Sequence, residues 1–317
     1  MGKKINRRSF IKTIGGAGLL SLTVPMAFSL ISSKKDDTIK LTILSTNDVH
    51  SRIDPFPASD KRNAGMAGFA QRASIVNDIR SQEDNVLLFD AGDIFQGTPY
   101  FNMYGGELEF KLMSKMGYDA ATMGNHDFDN GLEGFNKQLP HASFPFVCSN
   151  YDFDNTILKN KTKKYHIIEK GGIKIGIIGV GIEMEGLISK KNYGEAVYYD
   201  PIEKANEYAA LLKEKNCDFI VCISHLGYNY EQKKSSKKIS DVILASKTKH
   251  IDYIIGGHTH TFLEEVDEII NLDGKKVLVS QAGWGGIMLG RLDIVFSKDE
   301  KEKISLLYTS KKVRSQV

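Results

Sequence analysis

Apolar and polar residues alternate along Ile39-Lys40-Leu41-Thr42-Ile43-Leu44, the period of a strand with one face turned inward, and the run leads into Asn47-Asp48-Val49-His50. The construction recurs down the chain. Residues 67–80 have helical spacing, and the apolar run 85–89 is a buried strand that delivers Asp90-Ala91-Gly92-Asp93. A helix over 107–116 precedes Tyr118-Asp119-Ala120-Ala121-Thr122 and the turn Gly124-Asn125-His126. Residues 165–169 and 173–180 form a hairpin about Gly171-Gly172. Then 202–215 reads as a helix, 219–224 as a buried strand ending at His225, and Tyr253-Ile254-Ile255 leads to Gly256-Gly257-His258. Strands over 277–280 and 289–296 close the pattern. Helices alternate with strands early and strand pairs come late, which predicts an α/β fold of two packed sheets covered by helices, with no internal repeat.

The segments just after the strand-like runs are chemically uniform. Asp48, His50, Asp93, Asn125, His225, His258 and His260 are all metal-ligand types, and five of the eight histidines fall in these short segments. His141, His166 and His250 lie in polar or mixed surroundings without ligand spacing and are read as structural. On a strand, residues i and i+2 share a side, so Asp48 with His50, and His258 with His260, would each offer two ligands to one face. Carboxylate, imidazole and carboxamide oxygen suit borderline divalent ions such as zinc, manganese or iron. Asn125 fills a coordination position without adding negative charge near an anionic substrate.

The ends and the charge change the picture in one respect. Residues 1–31 carry Lys3, Lys4, Arg7, Arg8 and Lys12, no acidic group, and a long uncharged stretch, as an export signal does. Asn6-Arg7-Arg8-Ser9-Phe10-Ile11-Lys12 resembles the twin-arginine motif, departing from it at Asn6 and Ile11. Ala27-Phe28-Ser29 is a poor cleavage pattern, so a later cut or a retained N-terminal anchor stays open. With those five positive charges set aside, the formal charge of +3 becomes −2 for residues 32–317, read as a single catalytic domain. A nearly neutral body of this kind does not bind nucleic acid polymer by bulk electrostatics. Cys148, Cys217 and Cys222 show no paired spacing and read as buried small hydrophobes. Gly176, Gly179 and Gly181 run in the reverse order of a dinucleotide fingerprint, which leaves an oxidoreductase reading without support.

Taken in order, N-D-x-H, G-D, G-N-H-D-F-D, S-H-L-G and G-H-x-H resemble the calcineurin-like metallophosphoesterases, and more closely the N-terminal catalytic domain of the 5'-nucleotidase branch, over residues 39–297. The resemblance implies a four-layer α-β-β-α sandwich with two mixed sheets. It implies two divalent metal ions, one on Asp48, His50, Asp93 and His260 and the other on Asp93, Asn125, His225 and His258, with Asp93 shared. His126 would face the phosphate rather than a metal, with Asp129 orienting its ring. Phosphate esters would be cleaved by a metal-activated hydroxide, in the manner of a 5'-nucleotidase-type phosphomonoesterase. Phosphodiesters and nucleotide sugars use the same core, and a non-catalytic, metal-stabilised subunit is the alternative of another class.

Four further positions carry weaker readings. Asp127 supports the site or caps the next turn; Asp90 stabilises its own turn; Trp284 lines the site or packs beneath it; Arg62 and Asn63 read as solvated loop rather than phosphate contacts. The 5'-nucleotidase branch also has a C-terminal specificity domain, which is expected to be absent here and to be replaced by a separate partner chain resembling it, the substrate being a small phosphorylated molecule such as a nucleotide. Export places the expected location outside the cytoplasm, in the periplasm or beyond.

Overall fold

The apolar strands of this chain are buried on both faces, and that fixes the layering. In the computed structural model, which describes residues 37–230 and 238–314, Thr38–Thr46 (β1), Val86–Asp90 (β2), Ala120–Ala121 (β3), Met288–Ser297 (β12) and Lys303–Lys312 (β13) form one sheet in the order β13-β12-β1-β2-β3. Tyr165–Lys170 (β5), Ile173–Gly181 (β6), Phe219–His225 (β8), Tyr253–Gly256 (β9), Asp267–Ile270 (β10) and Lys276–Gln281 (β11) form the other, in the order β10-β11-β9-β8-β6-β5. Tyr151–Asp152 (β4) and Val197–Tyr198 (β7) pair separately. Both large sheets are mixed: β1, β2 and β3 are parallel, with β12 antiparallel to β1 and β13 antiparallel to β12, and β6, β8, β9 and β11 are parallel between antiparallel β5 and β10.

Side-chain alternation assigns the layers. Leu41, Ile43, Leu87 and Phe89 from one sheet meet Ile175, Ile177, Val221 and Ile255 from the other in a core between the sheets. Leu44, Val86 and Leu88 point the opposite way and pack with Phe69–Gln82 (α1) and Glu107–Met116 (α3) through Val76, Ile79, Phe110 and Met113. On the far side Ile178, Ile220 and Ile254 pack with Pro201–Glu214 (α6) and Asp241–Lys247 (α7) through Ala209, Leu212 and Leu244. The result is the expected four-layer α-β-β-α sandwich. Strands buried on both sides read as continuous apolar runs, which is why they are visible in the sequence. The shorter helices Pro99–Tyr104 (α2), Gly131–Gln138 (α4) and Lys190–Tyr193 (α5) complete the chain.

Local chemistry sets several boundaries. Asp200 accepts the N–H groups of Ile202 (2.7 Å) and Glu203 (3.1 Å), and Pro201 follows it, so α6 starts with its free donors satisfied. Helix α3 covers the expected residues and ends at left-handed Gly117. The hairpin at Gly171-Gly172, both with positive φ, pairs β5 with β6. The glycine-rich segment is the inner strand β6 itself, where a Cβ on Gly179 would run into the Val147 carbonyl. Cys148, Cys217 and Cys222 are free and buried.

Four strands have no counterpart in the sequence pattern: the short β4, β7 and β10, and the long β13. β13 follows the last expected strand and forms the sheet edge, with Ile304, Leu306 and Leu307 exposed, so no buried-strand pattern marks it. The signal read over residues 1–31 lies outside the described residues, of which no helix is long and apolar enough to cross a membrane. What matters for the site is direction: within each sheet the parallel strands run the same way, so the loops after β1, β2 and β3, and those after β8 and β9, gather at the carboxyl ends.

Candidate metal centre

β1 stops at Thr46, and Asp48, His50 and Ser51 then take left-handed backbone, with φ of 48°, 49° and 53°. The strand-period reason for pairing Asp48 with His50 is therefore corrected: both lie in a loop, which is held by its neighbour. The N–H groups of Asp48, His50 and Ser51 donate to the carbonyls of Gly92 (2.9 Å), Asp93 (3.0 Å) and Ile94 (2.9 Å), so the loops after β1 and β2 continue side by side. The same correction applies after β9, where His258 (φ 70°) and His260 (φ 55°) turn to different groups. Asp48, His50 and His260 come together in one, and Asp93, His225 and His258 in the other, the donor atoms of each lying within 4.8 Å of one another.

Asp93 reaches both groups. Its Oδ2 is 3.2 Å from His225 Nε2 and 3.9 Å from His50 Nε2. Asp48 Oδ1 lies 3.3 Å from His260 Nε2 and 3.9 Å from His225 Nε2. Asn125 joins the second group through its Oδ1, 2.8 Å from His258 Nδ1. His225 donates from Nδ1 to the Ala91 carbonyl (2.6 Å), which turns Nε2 toward the carboxylates. Gly92 and Gly124 permit this crowding, since a Cβ on Gly92 would strike the backbone of Gly124, and one on Gly124 would strike Asp93.

The two carboxylates are tied down by polar groups from several loops. Asp48 accepts from Asn47 Nδ2 (2.6 Å) and from the His258 N–H (2.9 Å), while Asp93 Oδ1 accepts the His126 N–H (2.8 Å). Asn47 also donates to the Gly283 carbonyl (2.6 Å) and accepts the Ala282 N–H (2.8 Å), joining the β1 loop to the loop after β11. Asp127 neither faces the cavity nor caps the following turn. Its carboxylate collects the N–H groups of Asp93 (3.0 Å), Ile94 (3.0 Å), Phe95 (3.2 Å) and Gly124 (2.8 Å), binding the Asp93 loop to the Asn125 loop. Asp90 accepts from the Gly92 N–H (2.9 Å) and Thr46 Oγ1 (2.5 Å), fixing its own turn as expected.

His126 belongs to neither ligand group. Its Nδ1 donates to Asp129 Oδ2 at 2.9 Å, and with His50, His260, Arg52 and Trp284 it lines a cavity of about 390 Å³. Trp284 stacks on the His260 ring, the centroids 5.8 Å apart and the planes 12° from parallel. Arg62 and Asn63 sit in a turn around Asp60, which accepts both of their N–H groups (2.9 and 2.7 Å). Sequence reasoning misses Arg52; its place two residues after His50 is the available signal. A larger open groove of about 1530 Å³ between α1 and β13 holds none of the candidate ligands.

These residues fit cations. His225 Nε2 is buried against Asp93 Oδ2 at 3.2 Å, and the Nε2 atoms of His50 and His260 face each other at 3.1 Å. Lone pairs and carboxylate oxygens crowded in this way favour a positive charge between them. The titration behaviour agrees. Burial pulls the His258 imidazole down to about 4, with the His225 charge adding to it, and burial lowers His50 as well. Burial acts on His225 too, but Asp93 and Asp48 outweigh it and hold that imidazole up to about 10. Burial would raise Asp93, yet the neighbouring His225 charge holds it well below the carboxylate range. The hydrogen bond to Asp129 raises the pKa of His126 against the opposing effect of burial.

A four-layer sandwich with two ligand groups at the carboxyl ends of its parallel strands has the layout of a two-metal hydrolase. The chain belongs to the calcineurin-like phosphoesterase family, whose pattern matches residues 41–262. It is 33% identical over 307 residues to a snake venom 5'-nucleotidase of Gloydius brevicauda, covering 90% of this chain and 50% of the relative. It is 38% identical over 232 residues to a 5'-nucleotidase of Vibrio cholerae, covering 71% and 41%. The crystal structure of a 5'-nucleotidase precursor from Thermus thermophilus superposes with a TM-score of 0.77 at 30% identity, over 87% of this chain and 55% of that one. The chain thus spans about half the length of the curated relatives it matches. Members of the family are metal-dependent phosphoester hydrolases that use two divalent ions, and the two ligand groups are this chain's candidates for them.

Because His225 is protonated at neutral pH in the metal-free chain and must lose that proton to ligate, loading with zinc or manganese should release about one proton from it. Affinity should accordingly strengthen as pH rises. Calorimetry in buffers of differing ionisation enthalpy reads the release, and uptake without it would remove His225 from the ligand set. Asp93→Asn, which takes away the charge common to both groups, should lower the bound metal measured by elemental analysis; unchanged content would count against a shared carboxylate.

Proposed function

We propose that this chain is an exported two-metal phosphohydrolase of the 5'-nucleotidase type, acting on phosphomonoesters. One ion would be held by Asp48, His50, Asp93 and His260, and the other by Asp93, Asn125, His225 and His258. The reach of Asp93 toward both groups supports the shared position. When bound, the two ions polarise the phosphoryl group and lower the pKa of the attacking water.

The observation that carries a catalytic rather than a structural reading is the His126–Asp129 pair beside the ligands. A metal site that only stabilised the fold would have no use for it. With Nδ1 engaged by Asp129, His126 has Nε2 left for the cavity, and the carboxylate favours the charged ring. It can stabilise charge building on the phosphoryl oxygens or pass a proton to the departing alkoxide. His126→Ala should keep its metal and lose about 10²- to 10⁴-fold in kcat, the range of a positioned acid. Turnover close to wild type at equal metal content would take His126 out of the mechanism.

Nucleotides are the proposed substrates, on the strength of the 5'-nucleotidase relatives. Selection of the nucleoside end would draw on a domain resembling the part of those relatives that this chain does not cover, since remote binding energy is what raises selectivity. Alone, the chain should hydrolyse a nucleoside monophosphate and a simple aryl phosphate with comparable kcat/KM. A strong preference for the nucleotide would assign selectivity to the chain's own loops.

Export by the twin-arginine route is the remaining part of the proposal and rests on Arg7, Arg8, Phe10 and Lys12. Replacing both arginines by lysine should leave the protein in the cytoplasm on fractionation, and its continued export would defeat that route.

A further inference from the structure

Arg52 stands two residues beyond His50 and opens onto the same cavity as His50, His126 and His260. Its guanidinium carbon lies 4.1 Å from the centroid of the Phe56 ring. Phe56 meets Trp284 edge-on at 5.4 Å, and Trp284 in turn stacks on His260. Arginine, phenylalanine, tryptophan and a candidate ligand are thus linked by successive contacts, with Phe56 buried behind the cavity. The cation–π contact and the N–H bond from Arg52 to the Val49 carbonyl (3.1 Å) fix where the arginine stands.

Among the described residues no group accepts a hydrogen bond from that guanidinium. Among the described residues no carboxylate lies within ion-pair distance of Arg52, and its buried Nε makes no hydrogen bond. The acidic groups in its vicinity are committed elsewhere. Asp54 accepts the Tyr100 hydroxyl (2.5 Å), and Asp60 accepts the N–H groups of Arg62 and Asn63. Drawing a cation partly out of water without a partner is unfavourable, and the cost is recovered when an anion arrives. A planar fork of N–H donors suits the non-bridging oxygens of a phosphoryl group.

We propose that Arg52 is a phosphoryl-binding residue of the centre, and that it favours phosphomonoesters, which carry a second negative charge, over diesters. This rests on the phosphohydrolase reading for its substrate but not for its anion. Inorganic phosphate, titrated calorimetrically into the metal-loaded full chain, is the probe. Arg52→Gln should weaken phosphate binding about 10- to 100-fold, the loss of one or two charge-assisted hydrogen bonds, at unchanged metal content and circular dichroism. Arg52→Lys, which keeps the charge but not the fork, should fall between. In turnover, the KM for an aryl phosphate monoester should rise more than that for the bis-aryl diester, so the preference for the monoester shrinks.

Equal phosphate affinity in wild type and either variant overturns the assignment, as does a wild-type chain that binds no phosphate at all. Phosphate binding that depends on Arg52 in a chain that hydrolyses no ester would instead sink the phosphohydrolase reading and leave the anion site standing.

Discussion

Bringing Asp48 and Asp93 out of water next to each other is the unfavourable step around which this molecule is built. Both carboxylates are buried, and each lies within 4 Å of the same two imidazole nitrogens, those of His50 and His225. Like charges held so close need countercharge or donors. The donors come from everywhere around them: the N–H of His258 from the second sheet's rim, the N–H of His126 from the turn after β3, and the amide of Asn47. The countercharge is a proton in the metal-free chain and two divalent ions in the family's chemistry.

The backbone bears part of the cost. Asp48, His50, Asp93, His258 and His260 all have φ between 48° and 70°, a region that costs a non-glycine residue about 1–3 kcal/mol and that Asp and His tolerate better than branched side chains. Such strain persists because loops from two sheets brace one another. Asp127, with four backbone N–H groups on its carboxylate, is the main brace between the Asp93 and Asn125 loops. The candidate centre is therefore a product of the packing of the sheets, and no single segment could hold its shape alone.

This explains what the sequence disclosed and what it withheld. Strands buried on both faces announce themselves as apolar runs, and ligand-type residues at the end of each run were legible one segment at a time. How the segments combine was not. The period of a strand gave a wrong reason for pairing Asp48 with His50, and for His258 with His260 it also paired residues that the left-handed turns send to separate groups. Trp284 acquires its surroundings only through contacts with the distant Phe56 and His260, Arg52 is set on Phe56 by the loop they share, and Arg62 was drawn instead into a local turn about Asp60. β13 escaped because an edge strand with most positions in solvent has no inward pattern to betray it.

The three free cysteines carry a consequence of their own. Cys148, Cys217 and Cys222 are all buried; burial pushes the Cys148 thiol up to about 12 and raises the other two. A thiol reacts as its thiolate, and these have almost none at neutral pH and little access to oxidants or to one another. The described fold therefore gains nothing from an oxidising environment and loses nothing in a reducing one. Its stability should read the same with and without a thiol reductant.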